Sequence, residues 1–148
     1  MNQPNNIYIS LGSNKGDKFK NLQNAIDLIH QKIGFVVQIS RVYKTEAIGF
    51  EGDEFLNTCI SVETNVKPKK AMRLLLSVEK ELGRTRNNAK GYQSRIIDLD
   101  IIFYNDEIID TKLLTVPHPE VHKRRFVLQP LKDISPQVEH PKKKKTVL

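Results

Sequence analysis

Residues 94–104 read SRIIDLDIIFY, an apolar run that carries two acids, Asp98 and Asp100. Ile96, Ile97, Leu99, Ile101, Ile102 and Phe103 surround them, a β-branched and aromatic mixture that favours a buried strand. Side chains alternate faces along a strand, so both carboxylates point the same way, roughly 7 Å apart. Like charges on a half-buried face are unfavourable unless a cation or a proton sits between them. Mg²⁺ fits that need, since it takes one or two carboxylates and completes its shell with water and substrate phosphates. The competing explanation pairs each aspartate with a nearby Lys or Arg, and Asp-x-Asp spacing alone does not separate the two. Context favours the metal: Arg84, Arg86, Lys90 and Arg95 precede the acids, and His122, Lys123, Arg124 and Arg125 follow them. A metal ion with arginines is a recurrent means of handling polyphosphate charge.

Other chemistry-bearing residues are more ambiguous. LGSNKGD, residues 11–17, lacks both the Gly-Lys-Ser/Thr ending of a Walker A loop and three-glycine dinucleotide spacing. It reads better as a strand-to-helix turn capped by Asp17 or Asn14. A Gly-Ser pair with Asp-x-Asp suggests polymerase-beta-type nucleotidyltransferases, but in those the two parts share one short unit, and here Ser13 and Asp98 lie far apart. That match is rejected. His30 and His140 read as surface residues, and His122 as a helix cap. His118 stands between two prolines just before a basic run, where a simple turn and a phosphate contact are both open. Phe55, Asn57 and Cys59 share a strand face by alternation, and Asn57 either satisfies a loop or reads the edge of a heterocycle.

Length and composition bound the class. At 148 residues the chain suits one domain, with 39% hydrophobic and 28% charged residues, ordinary values for a soluble globular protein. No apolar run is long enough for a membrane-spanning helix, and MNQPNN lacks the layout of a signal peptide. The single cysteine, Cys59, has no internal disulfide partner, and no Cys/His cluster suggests zinc. A cytoplasmic protein is expected, with no membrane partner. The net charge of +7 includes a lysine run at 142–145 that reads as a solvated tail. The two basic groups flanking the acids suit an anionic ligand.

The elements that must position these residues follow from periodicity. Ile7, Ile9 and Leu11 alternate with Tyr8 and Ser10 in a first strand. Phe19, Leu22, Ile26, Ile29 and Ile33 recur at helical spacing up to Gly34. Residues 35–45 and 55–64 read as second and third strands. Pro68 opens a second helix with Ala71, Leu75, Val78 and Leu82 on its buried face, and Gly83 stops it. The aspartate strand comes next. The order β-α-β-β-α-β predicts an α+β, ferredoxin-like sandwich with helices on one face, as a single domain over 1–148. Residues 107–110 and 113–116 add short strands, 117–125 a short helix opened by proline, and 126–134 packs the end.

Together these segments resemble the 6-hydroxymethyl-7,8-dihydropterin pyrophosphokinase family of folate biosynthesis. The resemblance rests on YISLGSN, YKTEAIG, FLNTCI, ELGRTR, SRIIDLDIIFY and LTVPHPEVHKRRFVLQPL, in that order over nearly the whole chain. It implies transfer of the terminal pyrophosphate of ATP to the hydroxymethyl oxygen of a reduced pterin, with release of AMP. Asp98 and Asp100 would hold two Mg²⁺ ions that bridge the ATP phosphates. Arg84 and Arg95 match arginines of a mobile catalytic loop, expected to close over ATP. Glu79, Arg86, Thr115, His118 and Arg124 match nucleotide-contacting positions, and Ile101 would pack beside the adenine. Thr45, Ile48, Phe55, Asn57 and Phe126 match the pterin pocket. The chain departs from common members at Tyr92, Gln93 and Ser94, where Trp-Gly-Pro is frequent. Leu76 stands where a glutamine often contacts nucleotide, and Pro119 where some members carry an aromatic residue.

Three other readings compete on the same residues. A different metal-dependent phosphoryl or nucleotidyl transferase would release other products. An RNA-binding module suits the sheet and charge, but the aromatic strand signature of RNA recognition is absent, so no nucleic-acid partner is expected. A structural adaptor explains neither carboxylate. The expected partners are ATP and the pterin, bound by a monomer.

Overall fold

A computed structural model describes residues 3–45, 54–83, 96–119 and 125–135. The main sheet is antiparallel and runs in the order β2-β4-β1-β5, built from β1 (Asn5–Ser13), β2 (Phe35–Ile39), β4 (Phe55–Thr64) and β5 (Asp98–Tyr104). A short strand, β3 (Tyr43–Thr45), continues along β4 beyond the end of β2. Helix α1 (Lys18–Lys32) follows β1, and α2 (Pro68–Glu81) links β4 to β5. This order is the expected ferredoxin-like one.

Alternation along the strands sorts the core into two layers. Ile7, Ile9, Leu11, Ile60, Val62, Leu99 and Ile101 face α1 and α2, meeting Leu22, Ala25, Ile29, Ala71, Leu75 and Val78. Each such aliphatic side chain contributes about 1.5–3 kcal/mol by leaving water, so this layer dominates the fold's stability. Phe19 departs from the expected stripe and is exposed, leaving Leu22 as the first buried residue of α1. Asp17 caps α1 by accepting from the Lys20 N–H at 3.2 Å. Gly34 ends the helix where the chain presses on β4: a Cβ there would lie 2.1 Å from the Glu63 carbonyl oxygen.

The opposite face carries a smaller core of Tyr8, Cys59, Ile102 and Phe103 under Val127 and Leu131. These last two belong to α3 (Arg125–Ile134), so helices cover both faces of the sheet, not one. The helix begins at Arg125, after the proline-opened segment where a short helix was expected, and its continuation includes Pro130. Residues 120–124 lie outside the described residues.

The expected second strand over 35–45 divides in two. Its pairing with β4 shifts between Val36 and Gln38, and again between Ile39 (opposite Ile60) and Tyr43 (opposite Asn57). At the second break Ser40 replaces a ladder group: its N–H donates to the Cys59 carbonyl and its Oγ accepts from the Cys59 N–H, both at 2.9 Å. Strands β6 (Ile109–Asp110) and β7 (Thr115–Val116) form a separate ribbon, with β7 packed against β5. No helix among the described residues is long and apolar enough to cross a membrane.

Candidate active site

Asp98 and Asp100 are half-buried, while Leu99 between them is fully buried against the helices. The acids therefore project from the α3 face, as their spacing requires. Their partners on β1 are Gly12 and Ser10, and the partners of Gly12 and Ser10 on β4 are Asn57 and Cys59. Cross-strand partners share a face. Asp98, Gly12, Asn57 and Tyr43 thus form one row across β5, β1, β4 and β3.

Gly12 opens the middle of that row. A Cβ there would lie 3.0 Å from Asn57 Oδ1 and 3.5 Å from the Phe55 ring. Without it, the Asn57 amide oxygen and the Phe55 ring lie close over the backbone that pairs with Asp98. Asn57 is buried, and its Nδ2 donates to Thr45 Oγ1 at 2.8 Å, which fixes the amide's orientation. Phe55 and Thr45 are cross-strand partners and flank it. Three expected pterin contacts, Thr45, Phe55 and Asn57, therefore come together beside Gly12. Ile48 and the Phe126 side chain lie outside the described residues. Gly12 was not singled out in the sequence because LGSNKGD reads as a turn, yet β1 runs through Ser13, paired to Leu56.

Of the residues expected at the nucleotide, the described ones (Glu79, Ile101, Thr115 and His118) lie on the other side of the acids, at or beside the outer edge of β5. Glu79 of α2 is 2% exposed and its Oε2 accepts from the Leu99 N–H at 2.8 Å. His118 follows a cis Val116–Pro117 peptide, and its N–H donates to the Ile102 carbonyl at 3.0 Å. That carbonyl is available because β5 bulges: Tyr8 pairs with Phe103 but Ile9 with Ile101, leaving Ile102 as the extra residue. Thr115 is half-buried in β7 beside this edge. The Ile101 side chain lies in the helix-side core at 2% exposure, so only its main chain is presented at the edge where a base was expected to pack. Arg84, Arg86, Arg95, Arg124 and the expected loop closure over 84–95 fall outside the described residues.

The donor set suits a hard divalent ion. Among the described residues no group of three or more His, Cys, Asp or Glu converges, so there is no all-protein cage of the kind Zn²⁺ or Ca²⁺ uses. Two half-buried carboxylates on one strand face are the kind of partial donor set that Mg²⁺ takes, with water and substrate phosphates supplying the rest of its shell.

A further cluster, invisible in the sequence, ties α3 to β3. Asp133 accepts from Arg41 Nη2 at 2.8 Å, Arg41 Nε at 3.1 Å and the Tyr43 hydroxyl at 2.7 Å. The hydrogen bond from Arg41 holds the Asp133 carboxyl well below its usual range, at about 2. Burial pushes the Cys59 thiol far above its ordinary value.

Residues 8–136 match the model of a family described as 7,8-dihydro-6-hydroxymethylpterin-pyrophosphokinase. The 2-amino-4-hydroxy-6-hydroxymethyldihydropteridine pyrophosphokinase of Bacillus subtilis (strain 168) is 44% identical over 138 residues, covering 91% of this chain and 81% of that protein. The Aquifex aeolicus protein of the same name is 41% identical, with 91% and 83% covered. The folic acid synthesis protein fol1 of Schizosaccharomyces pombe is 40% identical over 136 residues, but the match takes up only 18% of it. A crystal structure of Plasmodium falciparum HPPK-DHPS with pterin and p-hydroxybenzoate superposes with a TM-score of 0.79 at 17% identity. It covers 99% of this chain, which spans 42% of that one, and shows a shared fold.

Proposed function

The chain belongs to the 7,8-dihydro-6-hydroxymethylpterin-pyrophosphokinase family, and from that premise we propose how its own residues carry out pyrophosphoryl transfer. The donor is ATP and the acceptor is the hydroxymethyl group of 6-hydroxymethyl-7,8-dihydropterin. The alcohol oxygen bonds to the β-phosphorus, the bond from that phosphorus to the α,β-bridging oxygen breaks, AMP leaves, and the alcohol proton passes to solvent. The observation that carries this reading is the position of Asp98 and Asp100. They stand between the Asn57–Thr45–Phe55 group on the Gly12 side and the edge of β5 that bonds Glu79 and His118 and packs against β7.

Asn57 reads the donor and acceptor edge of the pterin, with its amide already oriented by Thr45. Phe55 packs on the ring, and Gly12 lets it approach the sheet. Asp98 and Asp100 hold Mg²⁺ with the triphosphate; when bound, it supplies charge neutralisation and alignment of the phosphate oxygens. The base lies against the outer edge of β5, meeting Ile101 through its main chain, with Thr115 and His118 contacting the nucleotide. Arg84 and Arg95 stabilise charge developing on the transferred group, and Arg86 and Arg124 contact phosphate; these four assignments rest on the family's motifs. A phosphoryl group moving through a loose transition state needs alignment and charge neutralisation more than a strong base.

The test is a coupled assay of purified protein with ATP, Mg²⁺ and the hydroxymethyl-dihydropterin. AMP formation dependent on pterin and on the divalent ion is expected, with near-complete loss in Asp98→Ala and Asp100→Ala. Release of ADP instead would mark an ordinary kinase and overturn the reading.

A further inference from the structure

Glu79 presents a problem that nucleotide contact alone does not solve. It is a carboxylate at 2% exposure within the helix-side layer, beside the buried Leu75 and Val78 of α2. Burying an ionisable group there is costly unless strong hydrogen bonds compensate. One such bond is visible: Glu79 Oε2 takes the Leu99 N–H at 2.8 Å. Leu99 is the residue between the two acids, on β5, which is the last strand of the sheet among the described residues, so its amide bonds to Glu79 and not to a neighbouring strand. Its side chain is fully buried, so the Leu99 backbone is held by packing on one side and by the Glu79 carboxylate on the other.

We propose that Glu79 is a positioning residue for the acid pair: by clamping the Leu99 amide from α2, it sets the direction in which Asp98 and Asp100 leave the strand and hence their grip on divalent ions. The proposal rests on the reading that these acids hold such ions. An edge strand is paired on one side only, and a hard divalent ion such as Mg²⁺ is demanding about where its oxygen ligands stand, so the direction of the two carboxylates would matter. Groups that orient metal ligands typically contribute about 10–100-fold in metal affinity when removed. On this view Glu79 belongs to the site without touching the reacting atoms.

The test measures Mn²⁺ binding by electron paramagnetic resonance in the presence of a non-hydrolysable ATP analogue, with no turnover involved. Wild type is compared with Glu79→Gln, Glu79→Leu and Asp98→Asn. Glu79→Gln keeps a carbonyl acceptor and is expected to bind Mn²⁺ within about threefold of wild type, whereas Glu79→Leu loses about tenfold or more. Equal losses in Gln and Leu would assign the effect to charge and overturn the positioning role. So would wild-type Mn²⁺ affinity in Glu79→Leu while Asp98→Asn loses it, an outcome that leaves the metal reading intact. If Asp98→Asn binds Mn²⁺ as tightly as wild type, the metal reading itself fails and takes the proposal with it. Amide hydrogen exchange on the wild-type protein needs no variant to fold: Leu99 is expected to be strongly protected, and exchange as fast as an exposed turn would overturn the clamp.

Discussion

Asp98 and Asn57 face one another across a single strand, both in register with Gly12. Two strand spacings place their backbones about 10 Å apart. Gly12 puts no side chain of its own between them, and the Asn57 amide oxygen and the Phe55 ring lie over it, 3.0 Å and 3.5 Å from where a Cβ would stand. Asp98 and the Asn57 amide are thereby held in register by the pairing of the sheet itself.

Gly12→Ala tests the close approach over Gly12. The new methyl would lie 3.0 Å from Asn57 Oδ1, so the amide that Thr45 orients must shift by a few tenths of an ångström. Pterin affinity, measured calorimetrically with an ATP analogue present, is expected to fall about tenfold, in line with typical overpacking costs of about 1–3 kcal/mol. Nucleotide affinity is expected to stay within about twofold, and an equal loss of both would contradict this division of the site.

Thr45→Val removes the acceptor that orients Asn57 while conserving shape. A buried amide left without its partner costs about 1–3 kcal/mol. The expected result is a pterin KM raised several-fold with kcat little changed, because the lost interaction positions the acceptor in ground and transition state alike. A fall in kcat at constant KM would place Thr45 in the chemical step instead.

The clamp of Asp133 on Arg41 and Tyr43 makes a statement about acid stability. The folded carboxyl titrates near 2, below its unfolded value, so the clamp is fully present above about pH 4 and is lost as pH falls through 2. Wild type is expected to resist urea better than Asp133→Asn at neutral pH, with the gap closing between about pH 4 and pH 2. The Arg41 side chain is 79% exposed, so the difference is small and shrinks in high salt. A gap that persists unchanged at pH 2 would show that the carboxylate charge is not its source.

Cys59 is fully buried, and burial holds its thiol protonated. It is expected to resist a disulfide reagent in the native protein at pH 8 and to react at once in denaturant. Rapid native labelling would mean that the Cys59–Val127–Leu131 layer opens freely.

Local periodicity makes most of this legible in the sequence. The alternation of Ile7, Ile9 and Leu11, the helical stripe through Leu22 and Ile29, and the shared face of Asp98 and Asp100 all depend on near neighbours. What escaped was long-range. Two register shifts against β4 break the strand expected over 35–45, and the serine that replaces a ladder group looks ordinary in sequence. Pro130 speaks against a helix, yet Val127 and Leu131 bury one against the second face of the sheet. Gly12 gains its meaning only from Asn57 on β4, and Glu79 only from the amide of Leu99.

The most direct measurement is a crystal structure of the protein with Mn²⁺ and a non-hydrolysable ATP analogue, using anomalous scattering to locate the metal. Manganese peaks within coordination distance of both Asp98 and Asp100, with the triphosphate turned toward Asn57, are the expected result. Peaks elsewhere, or both carboxylates held in ion pairs with lysine or arginine and no metal beside them, would contradict it.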